Sequence, residues 1–409
     1  MRSSPTPWRK GRPERAAASR ATPGHGRTRL EAQEADEVIA VPLACDTCPH
    51  CGGPLERSGR RDRAVIECQP VRMRRIIYSL ERAFCPKCRR HLQAQAPGVL
   101  PRSLYGNQLL AHVAAEHYVN GRTLGQIERE TGVGYSGLLE ALKTLAGKLQ
   151  KVPDRLIADY RASPVKHADE TGWRTDGRNG YAWLFAASGL RIFRLRSSRC
   201  GAVAREVFGP DPLPGVLVVD RYGAYNKAPV ALQYCWAHLL RDLEDVAKDF
   251  PDDPEAAAFV KRLAPLLSSA MGLRGLPIKD RKFKSEAVWL KKEIQSVIAH
   301  SASHPAIQAY QDIFRSHPDR LYHWADDRNI PADNNLAERE LRSLVIARKV
   351  SFGSQSQAGA ATREILMTVL LTLKTRVPDV KTAFKNFLDQ LALNPNLDHY
   401  QALFGNNSS

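Results

Sequence analysis

Apolar residues follow different rules in successive stretches of this chain. Residues 1–40 show no hydrophobic period; Arg, Pro, Ala and Gly dominate, and a disordered basic arm is expected. Between residues 45 and 97, short β-type pieces such as Ala64-Val65-Ile66-Glu67-Cys68 and Arg75-Ile76-Ile77-Tyr78 separate two cysteine pairs. From 103 to 160 the period becomes helical, with Leu109 and Leu110, Val113 and Ala114, His117 and Tyr118 recurring at three- and four-residue steps. Residues 123–133 then outline a helix and a Gly-containing turn, followed by a second helix capped by Ser136 and carrying Leu138, Leu142 and Leu145. That is the outline of a DNA-binding helix-turn-helix, and a plain helical hairpin fits it nearly as well.

Pro164 opens a different regime. Residues 165–169, 181–187 and 191–195 read as strands with turn residues between them, 199–208 as a helix, and 216–220 as an apolar strand. Asp169 is expected at the end of the first strand and Asp220 at the tip of the last. Residues 251–330 interrupt with helical material that carries the basic cluster Lys279, Arg281, Lys282 and Lys284. A final helical region runs over 334–373, broken near Gly353, and 376–409 form a C-terminal tail. Three meandering strands, a helix and a further strand predict an α/β class with a ribonuclease H-like core. That core comprises residues 164–250 and 331–375, a helical insertion (251–330) lies between its halves, and a zinc-ribbon-like module and a helical segment precede it.

Charge narrows the partner. Sixty Lys and Arg against 43 Asp and Glu leave +17 over 409 residues, and the first thirty residues hold eight basic groups and one acid. Such an excess favours a polyanion, nucleic acid above all, and the arm can grip phosphates without reading sequence. No apolar run reaches the length of a membrane span, and the basic start lacks the apolar core of a secretory signal. The expectation is a cytoplasmic protein whose eight cysteines are thiols, some of them metal-bound.

Two Cys-x-x-Cys pairs, Cys48/Cys51 and Cys85/Cys88, stand 33 residues apart and can place four thiolates around one Zn²⁺. Cys45 shares the same spacing with Cys48, so it, His50 or His91 could replace a ligand. Cys68 and Cys200 read as buried, inert thiols. The second constellation is acidic. Cutting a phosphodiester needs in-line attack and neutralised charge, which two Mg²⁺ ions about 4 Å apart supply when carboxylates from distant chain segments hold them. A charge at the tip of a buried strand seldom serves packing, which singles out Asp220 beside Asp169. The third carboxylate belongs on the helix opened by Asp333-Asn334-Asn335, with Asp333 or Asn334 as its cap. Glu338 and Glu340 point about 200° apart there. Glu338 shares its side with Asn335 and Arg342, which favours it modestly.

The motifs Ala168-Asp169-Glu170-Thr171-Gly172-Trp173, Asp220-Arg221-Tyr222-x-x-Tyr225, Cys235-Trp236-Ala237-His238 and Asp333-Asn334-Asn335-x-Ala337-Glu338-Arg339 resemble the bacterial insertion-sequence-sixty-six family of DDE transposases. The Cys-His-Cys-Gly-Gly knuckle at residue 48 and its neighbours resembles that family's zinc-binding head. The resemblance spans about residues 48–373. It implies Mg²⁺-dependent (or Mn²⁺-dependent) cleavage of insertion-sequence ends and joining of the freed 3′ ends to target DNA. It places Asp169, Asp220 and Glu338 on the catalytic triad and gives Cys235 and His238 a supporting role in the core. Arg339, Arg342, Arg348 and Lys349, which follow the third acid, are candidates for DNA phosphate contacts. A homo-oligomer on DNA, with accessory proteins of the same element, fits paired end cleavage. The competing readings are a catalytically inactive DNA-binding regulator and a ribonuclease H-like nuclease that does not join strands.

Overall fold

A computed structural model of the chain describes residues 73, 76–80, 82–85, 90–93 and 95–405. The chain divides into two units, Met1–Val71 and Arg72–Ser409, and every described residue belongs to the second. In it β1 (Arg82–Cys85) pairs antiparallel with β2 (Arg90–Gln93), with Cys85 opposite Arg90. Of the expected zinc ligands, Cys48, Cys51 and Cys88 lie outside the described residues, as do the basic arm, Cys45 and His50.

Four helices follow: α1 (Asn107–Tyr118), α2 (Leu124–Thr131), α3 (Tyr135–Leu149) and α4 (Val152–Ala162). A reciprocal capping box starts α2: Gln126 N–H donates to the Thr123 hydroxyl, and the Gln126 side chain accepts from Thr123 N–H. Gly132 ends it in the left-handed region (φ 67°). The expected Ser cap on the second helix is absent. Gly134 occupies the cap position, and Tyr135 N–H donates instead to Glu128 Oε1 of α2 at 2.9 Å. Leu138, Leu142, Leu145 and Leu149 are buried, as the helical period requires.

The central sheet has the order β5-β4-β3-β6-β7, built from β3 (Val165–Thr175), β4 (Arg178–Ala187), β5 (Leu190–Arg196), β6 (Val216–Val219) and β7 (Ala231–Tyr234). The first three form an antiparallel meander, while β6 and β7 run parallel to β3. This is a mixed α/β architecture. β3 runs six residues beyond the expected end at Asp169, because residues 170–175 pair with 178–183 across a two-residue turn. Asp176 and Gly177 in that turn both have positive φ (54° and 70°), the geometry that suits a hairpin's twist. The polar stretch Asp169-Glu170-Thr171 conceals this strand from a hydrophobicity reading. β7 also escaped it, being four residues long and placed next to Cys235.

Helix α5 (Gly201–Phe208) and α4 cover one face through Tyr160, Phe185, Phe208 and Trp183. Cys200, expected to be buried, is exposed at the N-cap of α5. The insertion consists of α7 (Pro254–Leu273), α8 (Asp280–Ala299), α9 (Pro305–Ser316) and α10 (His323–Asp326), and follows α6 (Trp236–Asp249). Trp236 docks it: its ring meets Phe314, Tyr322 and Trp324 edge-on, and its Nε1 donates to Leu321 O at 2.9 Å. Lys279, Arg281, Lys282 and Lys284 are all exposed. Then come α11 (Asn335–Ser351) and α12 (Gln357–Lys374). The segment read as a tail holds two more helices, α13 (Val380–Leu393) and α14 (His399–Phe404). Phe384, Phe387 and Leu388 are buried, and Asn107 of α1 bonds Asp389 of α13 at 2.8 Å.

Helix α12 lies along the free edge of β5 and supplies its missing acceptors. Arg191 N–H donates to Thr372 Oγ1 (3.0 Å), Phe193 N–H to Thr368 Oγ1 (3.0 Å) and Leu195 N–H to Glu364 Oε2 (2.9 Å). Four helical residues advance about 6 Å and two strand residues about 6.8 Å, so the two ladders stay in step over three rungs. The edge that could recruit a foreign strand is closed this way. Thr368→Val keeps the shape and leaves the Phe193 amide buried without an acceptor. The expected loss is about 1–3 kcal/mol, read as a lower urea midpoint with unchanged slope. An unchanged midpoint would show that the hydroxyl contributes nothing to the edge.

Candidate active site

Side chains alternate along β3, and the alternation sorts its functional groups. His167 and Asp169 fall on the face toward α11, whereas Lys166, Ala168 and Glu170 fall on the other. In the β3–β6 register Val165 stands beside Val216 and His167 beside Val218. Asp169 lies two residues past His167 and Asp220 two residues past Val218, and the charge of Asp220 is felt at Asp169. Asp220 lies just past the fully buried β6, and its Oδ1 accepts from Tyr222 N–H at 3.0 Å.

One buried amide brings the third segment in. Asn334, only 1 % exposed, precedes α11 without capping it by its side chain. Its Nδ2 donates to Ala168 O (2.9 Å), which turns its Oδ1 toward His167 Nδ1 (2.9 Å) and requires His167 to donate there. Burial first, with nearby arginines adding, lowers His167 to about 4, so the ring is neutral and serves as a fixed donor. Asn334 N–H donates to Cys235 Sγ (3.1 Å), and Cys235 N–H to Val219 O (2.8 Å). The stretches carrying Asp169, Asp220 and Glu338 are thus tied together by four hydrogen bonds.

Glu338 sits in the first turn of α11 with its Oε1 3.7 Å from His238 Nδ1. Glu340 turns elsewhere and accepts from Arg191 NH2 at 3.1 Å. Burial pushes the Asp169 carboxyl up to about 7, and the charges of Glu170, Asp220 and Glu338 push the same way. The Glu170 N–H, donating to Asp169 Oδ1 at 2.8 Å, pulls back. The charges of Asp220 and Glu338 are thus felt at Asp169, and among the described residues no positive side chain is bonded to it. Glu170, on the opposite face, is partnered by side chains. Arg199 grips its Oε1 (2.7 and 3.0 Å), Tyr225 OH donates to its Oε2 (2.6 Å), and Arg199 in turn stacks on Tyr222 at 4.0 Å. Both tyrosines after Asp220 thus serve the support of the strand beside it. Neither they nor Asn334's role was visible in spacing; only the recurrence of Asn and Tyr next to the acids hinted at it.

The four basic residues after Glu338 divide. Arg339, Arg342 and Lys349 are exposed. Arg348 is half-buried, and its NH1 donates to Gly172 O at 2.6 Å, which commits it to β3. Cys235 and His238 lie one turn apart on α6, on the side that faces Glu338.

A profile of the transposase IS66 family matches residues 102–362, more than half of the chain. The chain belongs to that family. It is 26 % identical to the uncharacterized protein y4jD of Sinorhizobium fredii over 387 residues, which cover 83 % of this chain and 73 % of that protein. It is 27 % identical to the uncharacterized protein y4qI of the same organism over 325 residues, covering 69 % of this chain and 59 % of that protein. The family match includes every element that carries the crowded carboxylates and stops within α12. Among the described residues, no helix is long and apolar enough to cross a membrane.

Asp169 ionises near its ordinary value of 3.8 in the unfolded chain and near 7 in the fold. The stabilising difference is complete below the lower value and is lost as pH rises through the upper one. Metal-free Asp169→Asn should therefore melt above the wild type at pH 8, with the gap closing by pH 4. A wild-type advantage at pH 8 would mean that the carboxylate is not under repulsion. Asn334→Ala should cost about 1–3 kcal/mol in chemical unfolding, because it leaves the His167 donor and the Ala168 carbonyl buried and unpaired.

Proposed function

We propose that this chain cuts DNA at the ends of an insertion sequence and joins the freed 3′ ends to target DNA, with Asp169, Asp220 and Glu338 as its catalytic carboxylates. The observation that carries this reading is that three acids from separate stretches of chain act on one another: Asp169 is pushed up to about 7 by burial first, then by the charge of the adjacent Glu170, with Asp220 and Glu338 adding to it. The β5-β4-β3-β6-β7 order, an antiparallel meander followed by two parallel strands, supports a ribonuclease H-like core interrupted by the insertion α7–α10.

Repelled carboxylates of this kind fit a hard divalent cation, since Mg²⁺ and Mn²⁺ take oxygen ligands and a cation would relieve the charge that raises Asp169. Bound there, such ions would activate the attacking water or 3′-hydroxyl and stabilise the leaving oxygen. The chain's own residues do the positioning. The Glu170 amide fixes one oxygen of Asp169, and the Tyr222 amide fixes one oxygen of Asp220. Asn334 holds the first turn of α11 against β3, so that Glu338 is presented from a rigid element. The exposed Arg339, Arg342 and Lys349 on the same helix are suited to DNA phosphates. Ahead of the core, Cys48, Cys51, Cys85 and Cys88 would bind Zn²⁺, and α2 with α3 would form the helix-turn-helix; together they would recognise the ends. The working form is a homo-oligomer on DNA.

Asp169→Asn, Asp220→Asn and Glu338→Gln should each keep end binding in a gel shift and lower strand cleavage by more than about a hundredfold. Chelation with EDTA should abolish cleavage by the wild type, and Mg²⁺ or Mn²⁺ should restore it. A variant that cuts at the wild-type rate removes its residue from the triad, and cleavage that persists in EDTA rejects the mechanism.

A further inference from the structure

Cys235, His238 and Glu338 form a second constellation beside the crowded carboxylates. Cys235 Sγ, a ring nitrogen of His238 and a Glu338 carboxylate oxygen all lie within 4.8 Å of one another, the one such group of metal-capable side chains among the described residues. Two of these atoms are otherwise unexplained. His238 Nδ1 and Glu338 Oε1 are both buried, and neither has a hydrogen-bond partner among the described residues. They face each other at 3.7 Å, too far for a hydrogen bond. Leaving two such atoms orphaned is costly, and the cost is removed if both bind something between them.

We propose that Cys235, His238 and Glu338 bind a thiophilic divalent cation of the Zn²⁺ class, distinct from the oxygen-bound ions of the carboxylate triad. Bonds of 2.0–2.3 Å in a tetrahedron place ligand atoms about 3.3–3.8 Å apart, so the His238–Glu338 pair is already set and the thiol needs only a small approach. One thiolate, one imidazole and one carboxylate make a donor set that suits zinc and disfavours Mg²⁺. The site is built on rigid elements. Cys235 and His238 are an i, i+3 pair at the start of α6 and share one side of it. Cys235 is fully buried and its sulfur accepts from Asn334 N–H (3.1 Å), so its direction is fixed. The side chains of His238 and Glu338 are 30 % and 33 % exposed, which leaves a path for the ion and room for a water as fourth ligand. A bound ion would hold Glu338 through Oε1 and brace the first turn of α11 against that of α6. The binding site exists whether or not Glu338 also serves DNA cleavage.

Cobalt content decides the matter, with Co²⁺ as a spectroscopic probe and the full chain free of DNA. The N-terminal cysteines contribute equally to every protein compared, and the carboxylate triad is unaltered in the Cys235 and His238 variants, so their difference from wild type isolates this site; Glu338→Gln also alters the triad and is read by the thiolate-to-cobalt band alone, which oxygen-bound ions do not give. Wild type should hold one Co²⁺ per chain more than Cys235→Ser, with a correspondingly stronger thiolate-to-cobalt absorption. His238→Ala and Glu338→Gln should weaken the same increment by more than about tenfold. These two variants keep Cys235 in place and carry the test if Cys235→Ser fails to fold. Equal cobalt content in wild type and every folded variant would overturn the proposal and leave a plain ion pair beside a thiol. Because no DNA is cut, that result would leave the transposase reading standing.

Discussion

The buried side chain of Asn334 is the constraint on which the site depends. An amide offers two donors and an accepting oxygen, and here the side chain and its own backbone N–H reach β3 at two points and α6 at a third. No single apolar residue could do this, since packing fixes distance but not direction. His167 and Asn334 are 167 residues apart in sequence, and Ala168 lies next to His167, so this contact joins two distant stretches of the chain. It also explains why the insertion can be large. The helices α7 to α10 enter and leave the core between Tyr234 and Asn334, two points held near each other by these bonds.

Crowded carboxylates work against folding, and the rest of the sheet offsets them. On the face away from α11 the fully buried Trp183, Phe185, Phe208, Tyr160 and Tyr225 form one aromatic cluster, each burying area that dominates core energetics. Glu170 is admitted to that side only as a partner of Arg199 and Tyr225. Asp169, the preceding residue and on the opposite face, has no such partner among the described residues. Two adjacent acids thus have opposite fates, set by the two-residue alternation of a strand. Strain of this sort is typical of positions kept for chemistry.

Helix α12 solves a different problem with the same economy. An edge strand exposes alternate amides, and Glu364, Thr368 and Thr372 meet them at successive four-residue steps. Glu364 also receives Arg194 and Arg196, so the row of acceptors is anchored at one end by charge. Gly353, between α11 and α12, makes the closing turn possible. Its φ of 124° and the 2.2 Å approach that a Cβ would make to Arg174 O leave no room for a side chain.

Much of the architecture was legible in the sequence because it rests on local periodicity. The helical runs of α2, α3, α11 and α12, the apolar β6 and the α/β class all follow from apolar spacing, caps and turn residues. The IS66 motifs were legible too, as a set of residue types at fixed positions. Local patterns could not show that Asp169 lies in mid-strand, since the polar residues after it pair with β4 through register rather than hydrophobicity. Nor could they show that Arg348 is committed to Gly172, that Tyr225 holds Glu170, or that β7 exists. The direction of Glu338 against Glu340 was only hinted at by helical phase, and the contacts with His238 and Arg191 distinguish them. Periodicity describes what each segment hides from water, which the chain encodes locally. Which hidden or half-hidden groups meet depends on strand register and on helix docking across more than a hundred residues, and only the assembled tertiary structure decides that.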